Sequence, residues 1–337
     1  MRALVYHAPK KVDIEDRPRP HVEEGEVEVA IEIAGVCGSD ISGFLGHSVR
    51  RQPPMVLGHE LVGRLADGRR VVANPLISCG RCSACLSGTQ NLCASWRLLG
   101  MDQTPGTFAE FIAIPCTQIY DIPDSLPSTR AILTEPLANV VHLFRLVAPP
   151  PFFRMAIVGA GTMGALALLT AQTIGVQDVL VVDVNDQRLE AVLGMGANAV
   201  VSINLPTGRH DAMKVAGSGF EIVLDASGSA SARQMAFDLC RPGGQVVLLG
   251  MGHQCSEVDF VTSIRREIRV VMSFAYTPAD FERALSLLIA GKVDLTPWTV
   301  HLPLEQGQEA LDMITQAPGA TLKVVLSVGA SHEIAQR

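Results

Sequence analysis

Val27, Val29, Ile31 and Ile33 alternate with Glu26, Glu28, Ala30 and Glu32. This period-2 pattern sets one face of a strand on a core and the other toward water. Gly and Pro punctuate the chain often through to about Pro127, as short strands joined by turns require, so the first half reads as β-rich. From Met155 the texture changes. Apolar runs of strand length, MAIV at 155–158, VLVV at 179–182, IVLD at 222–225, VVLL at 246–249 and IRVVM at 268–272, alternate with helical stretches. That rhythm predicts βαβ units and an α/β domain whose parallel sheet is covered on both faces. Between the two regions, Ala148-Pro149-Pro150-Pro151 cannot continue a helix. Further on, Phe281, Leu285, Leu288 and Ile289 predict a helical stripe that stops at Gly291, and 321–326 predicts a closing strand. Residues 329–337 read as a frayed tail.

Composition narrows the class. A chain of 337 residues suits two domains, and 48% hydrophobic against 18% charged residues excludes extended disorder. Lys+Arg 27 against Asp+Glu 34 leaves a net charge of -7 with no basic run, which disfavours nucleic acid and anionic membrane as partners. A metabolic enzyme is the default. No apolar h-region develops before Pro9 and Lys10, so no secretory signal is expected. The stretch from Met155 to Gln177 is long enough to span a bilayer, but Gly159, Gly161, Gly164 and Gly175 interrupt it and its front end reads as a strand. A cytoplasmic location follows as the expectation, and there the eight cysteines serve metals rather than disulfides.

Gly159-Ala160-Gly161-Thr162-Met163-Gly164 is a G-x-G-x-x-G that follows a strand-like run and opens a helix-like one. In that context the first glycine permits the tight turn, the second lets backbone approach a pyrophosphate, and the third lets helix pack on strand. The next strand ends at Asp183, close to the spacing at which an acid accepts the adenosine ribose hydroxyls and repels a 2′-phosphate. No Lys or Arg occupies 184–187, so NAD is favoured over NADP. Thr162, Met163 and Arg188 complete the expected cofactor-binding set.

Cys79, Cys82, Cys85 and Cys93 give C-x2-C-x2-C-x7-C, four thiolates in one short loop. They suit a closed tetrahedral zinc with no position left for chemistry, and so a structural ion. The spacing also fits an iron–sulfur cluster or a nucleic-acid-binding zinc ribbon, the latter disfavoured by the acidic charge. Cys37 in GVCGSD, His59 and Glu60 in GHELVG, and Glu135 in TEPLA offer a thiolate, an imidazole and carboxylates for a second, open site. A metal held so can polarise a substrate oxygen.

GVCGSD, GHELVG, the four-cysteine loop, TEPLA and GAGTMG occur in this order and at roughly these intervals in zinc-dependent medium-chain dehydrogenases. From Met1 to about Val328 the chain resembles the polyol branch of that family. The resemblance implies a GroES-like catalytic domain (1–145, completed by 276–337) split around a Rossmann domain (146–275), with the active site in the cleft between them. It implies a catalytic zinc on Cys37 and His59, with Glu60 or Glu135 completing the shell directly or through water. Activity would be hydride transfer between a secondary alcohol, such as a polyol, a sugar alcohol or its phosphate, and NAD. Ser39 resembles the first hydroxyl of the family's proton relay, and a homodimer or homotetramer is expected.

Three departures stand out. Family members often carry a relay histidine five residues after the ligand cysteine, where this chain has Ser42, so water beyond Ser39, rather than His47, is expected to carry the proton out. Sorbitol-type enzymes carry Phe-Arg-Tyr where Phe274-Ala275-Tyr276 stands, and the hairpin after Gly63 is shortened. Arg50 and Arg51 could hold a phosphorylated substrate but read as a solvated loop. The alternative from another class is a non-catalytic NAD-binding protein with structural zinc alone.

Overall fold

The computed structural model describes residues 1–329, so the expected tail lies, apart from Gly329, outside the described residues. The chain divides into two compact units, one built from 1–135, 277–290 and the residues from Leu295 onward, the other from 136–276 and 291–294.

The first unit is β-rich. Its main sheet runs in the spatial order Ile119–Asp121, Arg70–Ala73, Glu60–Arg64, Glu26–Val36, Lys323–Ser327, Thr299–Pro303. The alternation at 26–33 is borne out, with Val29, Ile31 and Ile33 buried and the glutamates partly exposed. Glu26–Val36 is long enough to serve two partners. Its first half pairs antiparallel with Phe111–Pro115 and its second half with Lys323–Ser327. The closing strand therefore lies inside the sheet, fifth of these six, and starts two residues later than expected. A three-stranded sheet of Lys11–Asp16, Arg2–Ala8 and Met55–Val56 completes the unit, and Leu4, Tyr6, Phe44, Leu57, Phe108 and Leu326 share its core.

Helix Pro278–Ile289 also belongs here. Thr277 starts it by a reciprocal cap, its backbone N–H donating to Asp280 Oδ2 at 2.9 Å. Phe281, Leu285 and Leu288 are buried as expected, but Ile289 is 49% exposed. Ile289 is the last residue of the helix and lies one step, about 100°, round from Leu288 on its solvent side.

The second unit holds a six-stranded, wholly parallel sheet in the order Ala199–Ser202, Asp178–Asp183, Arg154–Val158, Phe220–Asp225, Cys240–Leu248, Arg269–Met272. In chain order these strands are third, second, first, fourth, fifth and sixth, the doubly wound Rossmann arrangement. Helices covering the faces of such a sheet explain why its inner strands read as continuous apolar runs. The edge strand Arg269–Met272, expected to be covered, is mostly exposed, with Val270 at 43% and Met272 at 75%. The glycine-interrupted stretch after Met155 is a strand followed by helix Thr162–Thr173. Among the described residues no helix is long and apolar enough to cross a membrane.

Candidate metal centres and dinucleotide site

Cys37 directly follows the long strand and caps helix Gly38–Phe44, while His59 and Glu60 follow Gly58, whose φ of +92° turns the chain into the neighbouring strand. One carboxylate joins these segments. Asp40, fully buried, accepts the N–H of Cys37 at 3.0 Å and of Gly58 at 3.3 Å, and its Oδ1 lies 3.4 Å from His59 Nδ1. Burial alone would raise its pKa, but His59, Arg51 and the Cys37 N–H outweigh that and hold it at about 2. Asp40 thus stays anionic beside the imidazole, a charge contact rather than a formed hydrogen bond, since His59 Nδ1 has no hydrogen-bond partner. One potential ligand atom each from Cys37, His59 and Glu60 lie within 4.8 Å of one another.

Glu60 is 1% exposed, yet its Oε1 has no hydrogen-bond partner. Its carboxylate pairs with Lys323, itself buried, whose Nζ also donates to the Val36 carbonyl at 3.0 Å. Gly35 is its cross-strand partner, and a Cβ there would collide with the carboxylate. Burial pushes the pKa of Glu60 up, Lys323 opposes this, and Glu135 adds to it. Glu135, buried in the first turn of helix Thr134–Val147, is therefore near Glu60 but not one of the three converging residues. An open carboxylate oxygen beside a thiolate and an imidazole fits a zinc site with a free position.

The four cysteines form a second group, with all four sulfurs within 4.8 Å of one another. Four sulfurs each about 2.3 Å from one ion stand about 3.8 Å apart in a tetrahedron. Cys82–Cys85 and Cys79–Cys85 measure 3.5 and 3.9 Å. Backbone N–H groups of Arg81 and Cys82 lower the Cys79 thiol to about 6, so it is largely thiolate near neutrality. These residues fit a closed zinc site.

In the second unit the three glycines meet distinct demands. Gly159 has φ +113°; at Gly161 a Cβ would meet only Arg188 Nη1, at 3.9 Å; at Gly164 it would strike the Gly159 carbonyl and crowd Ile157 Cγ2 at 3.2 Å. Gly161 therefore leaves the backbone open to a ligand and Gly164 lets helix press on strand. Thr162 and Met163 begin that helix. Asp183, at the end of its strand, accepts the Ala160 N–H at 2.5 Å and the Asn185 N–H at 2.8 Å, which ties the acid to the glycine turn.

Ser39 is half-buried on the short helix, two residues from Cys37. The expectation of a solvated loop holds for Arg50, whose side chain is 38% exposed, and needs correction for Arg51. Arg50 pairs with Asp102 and lies over the Trp96 ring at 4.0 Å, and Arg51 is buried, its Nη2 donating to Ser39 Oγ at 3.0 Å. Arg51, Asp40 and Lys323 are site residues that motif reading passes over. Lys323 carried one signal, a lone charge inside the apolar run 322–326, where both faces of an interior strand are buried.

Comparison with known proteins agrees with this geometry. Residues 23–124 match the alcohol dehydrogenase GroES-like domain, and residues 162–290 match the zinc-binding dehydrogenase family. Sorbitol dehydrogenase of Bacillus subtilis is 30% identical, over 97% of both chains. Among solved structures, galactitol-1-phosphate dehydrogenase from Escherichia coli superposes with a TM-score of 0.89 at 26% identity, covering 97% of this chain and 100% of that one. The rspB alcohol dehydrogenase of E. coli CFT073, solved with NADH, superposes with a TM-score of 0.89 at 25% identity, covering 97% and 99%. Two domains matched in order, a thiolate–imidazole–carboxylate group in one and a glycine turn with its acid in the other, lead to one assignment: the chain belongs to the zinc-dependent medium-chain alcohol dehydrogenases, oxidoreductases that work with zinc and a nicotinamide dinucleotide.

Proposed function

We propose that this protein oxidises a secondary alcohol, a polyol, sugar alcohol or sugar-alcohol phosphate, with NAD as hydride acceptor. The observation that carries the reading is the convergence of Cys37, His59 and Glu60, with the buried Glu60 Oε1 lacking a hydrogen-bond partner. Cys37 and His59 would hold the catalytic zinc, with Glu60 or Glu135 completing its shell; Cys79, Cys82, Cys85 and Cys93 would hold the structural one. When bound, zinc supplies a Lewis acid for the substrate oxygen and the nicotinamide takes the hydride. Asp40 holds its negative charge beside His59, and Ser39 takes the proton that the alcohol loses. Gly159, Gly161, Thr162, Met163 and Gly164 would cradle the pyrophosphate, with Asp183 and Arg188 beside the adenosine ribose.

The named substrates of the relatives, sorbitol and galactitol 1-phosphate, support the polyol class. Eight cysteines without a disulfide suit a reducing cytoplasm, and a homo-oligomer is the expected assembly. Metal analysis with an NAD-linked absorbance screen over polyols, their phosphates and simple secondary alcohols tests the reading. Two zincs per chain and turnover of a polyol are expected. One zinc and no turnover of any alcohol would replace the enzyme with an NAD-binding protein.

A further inference from the structure

Arg51 is 3% exposed, and Gly43 makes its room, since a Cβ at that position would collide with the arginine stem. Yet this buried guanidinium is poorly satisfied. Its Nη2 bonds Ser39 Oγ at 3.0 Å, the same nitrogen lies 3.6 Å from Asp40 Oδ1, and Nε has no hydrogen-bond partner. Asp40 balances the charge at a distance, its close bonds going to the N–H groups of Cys37 and Gly58. A buried arginine kept for stability alone would be expected to grip the carboxylate with both arms, as Arg50 grips Asp102. Arg51 spends its formed hydrogen bond on a hydroxyl.

A hydroxyl oxygen has one hydrogen and two acceptor sites, and a guanidinium donates without ever accepting. With Arg51 on one acceptor site, Ser39 keeps one acceptor site and one hydrogen, and the hydrogen must point away from Arg51. We propose that Arg51 is a positioning residue that acts through Ser39, leaving the hydroxyl a single entrance and a single exit for the proton and setting a fixed positive charge behind it. The alcohol's proton enters the remaining lone pair of Ser39 while Ser39's own hydrogen leaves to water, and none passes to Arg51. During reduction the same path runs backward. This inference rests on the reading of Ser39 as the proton-accepting hydroxyl.

The test is a double-mutant cycle on the zinc-loaded enzyme. Ser39→Ala should slow kcat by the roughly 10²-fold typical of lost acid–base participation. Arg51→Met should lower kcat at least about tenfold with KM for the alcohol nearly unchanged, and should add almost nothing on top of Ser39→Ala. Arg51→Lys, which keeps the charge, should recover part of the loss. With NAD present, the affinity for trifluoroethanol should fall in parallel and show the same non-additivity, a readout free of turnover. If Arg51→Met does not fold, Gly43→Ala, which pushes the arginine stem aside, carries the same arms. Equal slowing by the Arg51 change with and without Ser39 would reduce Arg51 to a structural role. No effect of Ser39→Ala, with two zincs bound, would instead sink the relay reading beneath it.

Discussion

Lys323 reaches Glu60 across the strand that lies between them. Lys323 sits on the strand at one side of Glu26–Val36 and Glu60 on the strand at the other, and their charges meet where Gly35 has no side chain. The lane exists because a glycine occupies that single position. Breaking a buried pair by removing one partner leaves the other charge stranded, which costs about 3–5 kcal/mol. Lys323→Met should cost that much in urea denaturation of chelator-treated protein, and Lys323→Met with Glu60→Leu should recover most of it. Equal stability of Lys323→Met and the parent would show that the pair contributes nothing.

The four-cysteine loop makes a metal-counting prediction. Cys82→Ser removes one of four sulfur ligands from a group whose sulfurs lie within 4.8 Å of one another. Zinc per chain should fall from about two to about one, with a lower thermal midpoint, because ligation energy is folding energy for such a loop. Retention of both zincs would show that three thiolates suffice.

The proposed place of Asp183 beside the adenosine ribose gives a prediction about the choice of dinucleotide. Asp183→Ala removes a charged acceptor, and losses of this kind correspond to roughly 10–100-fold in affinity for NADH. The change also leaves the Arg188 guanidinium, 3.9 Å from where a Gly161 Cβ would stand, without its neighbouring acid and able to meet a 2′-phosphate. Fluorescence titration should therefore show NADPH binding gained, and Arg188→Ala should abolish that gain. An unchanged NADH preference in Asp183→Ala would remove both residues from the ribose site.

Asp40 gives a pH prediction with a defined sign. Its folded pKa of about 2 lies below the ordinary value of an aspartate, so the unfolded chain binds the proton more tightly. The resulting stabilisation, about 2 kcal/mol, is fully present above pH ~4 and fades as pH falls toward ~2. Asp40→Asn should thus lower the denaturation midpoint at pH 7, and the gap to the parent should narrow between pH 4 and pH 2. A gap that stays constant with pH would mean that Asp40 stabilises by its hydrogen bonds alone.

Local signals carried most of the fold. The alternation at 26–33, the βα rhythm after Met155 and the four-cysteine loop each lie within a few turns of chain, so spacing alone exposes them. The burial of Arg51 was illegible because it depends on Gly43, eight positions away and unremarkable in sequence. Lys323 was passed over for a related reason. Its partner Glu60 lies in a distant motif, and only the sheet order, with Glu26–Val36 between two strands from opposite ends of the chain, brings them near. Ile289 failed at the finer scale, where one step around a helix separates core from solvent. Glu135 is drawn close to Glu60, yet the convergence within 4.8 Å includes only Cys37, His59 and Glu60.

The interior position of Lys323–Ser327 has a consequence for how the molecule is made. Lys323 and Val36, which it bonds, are 287 residues apart, and the whole parallel-sheet unit is encoded between them. A ribosome therefore releases the second unit, whose strands are nearly contiguous, while the first still lacks an interior strand of its main sheet. Domains fold as units during synthesis at about 5–20 residues per second. For roughly ten seconds or more the strand edge at Ile33–Val36 and the Glu60 carboxylate must wait without their partners. The nascent chain is then most exposed to wrong strand pairing, and selection against sticky sequence should weigh most heavily on that edge.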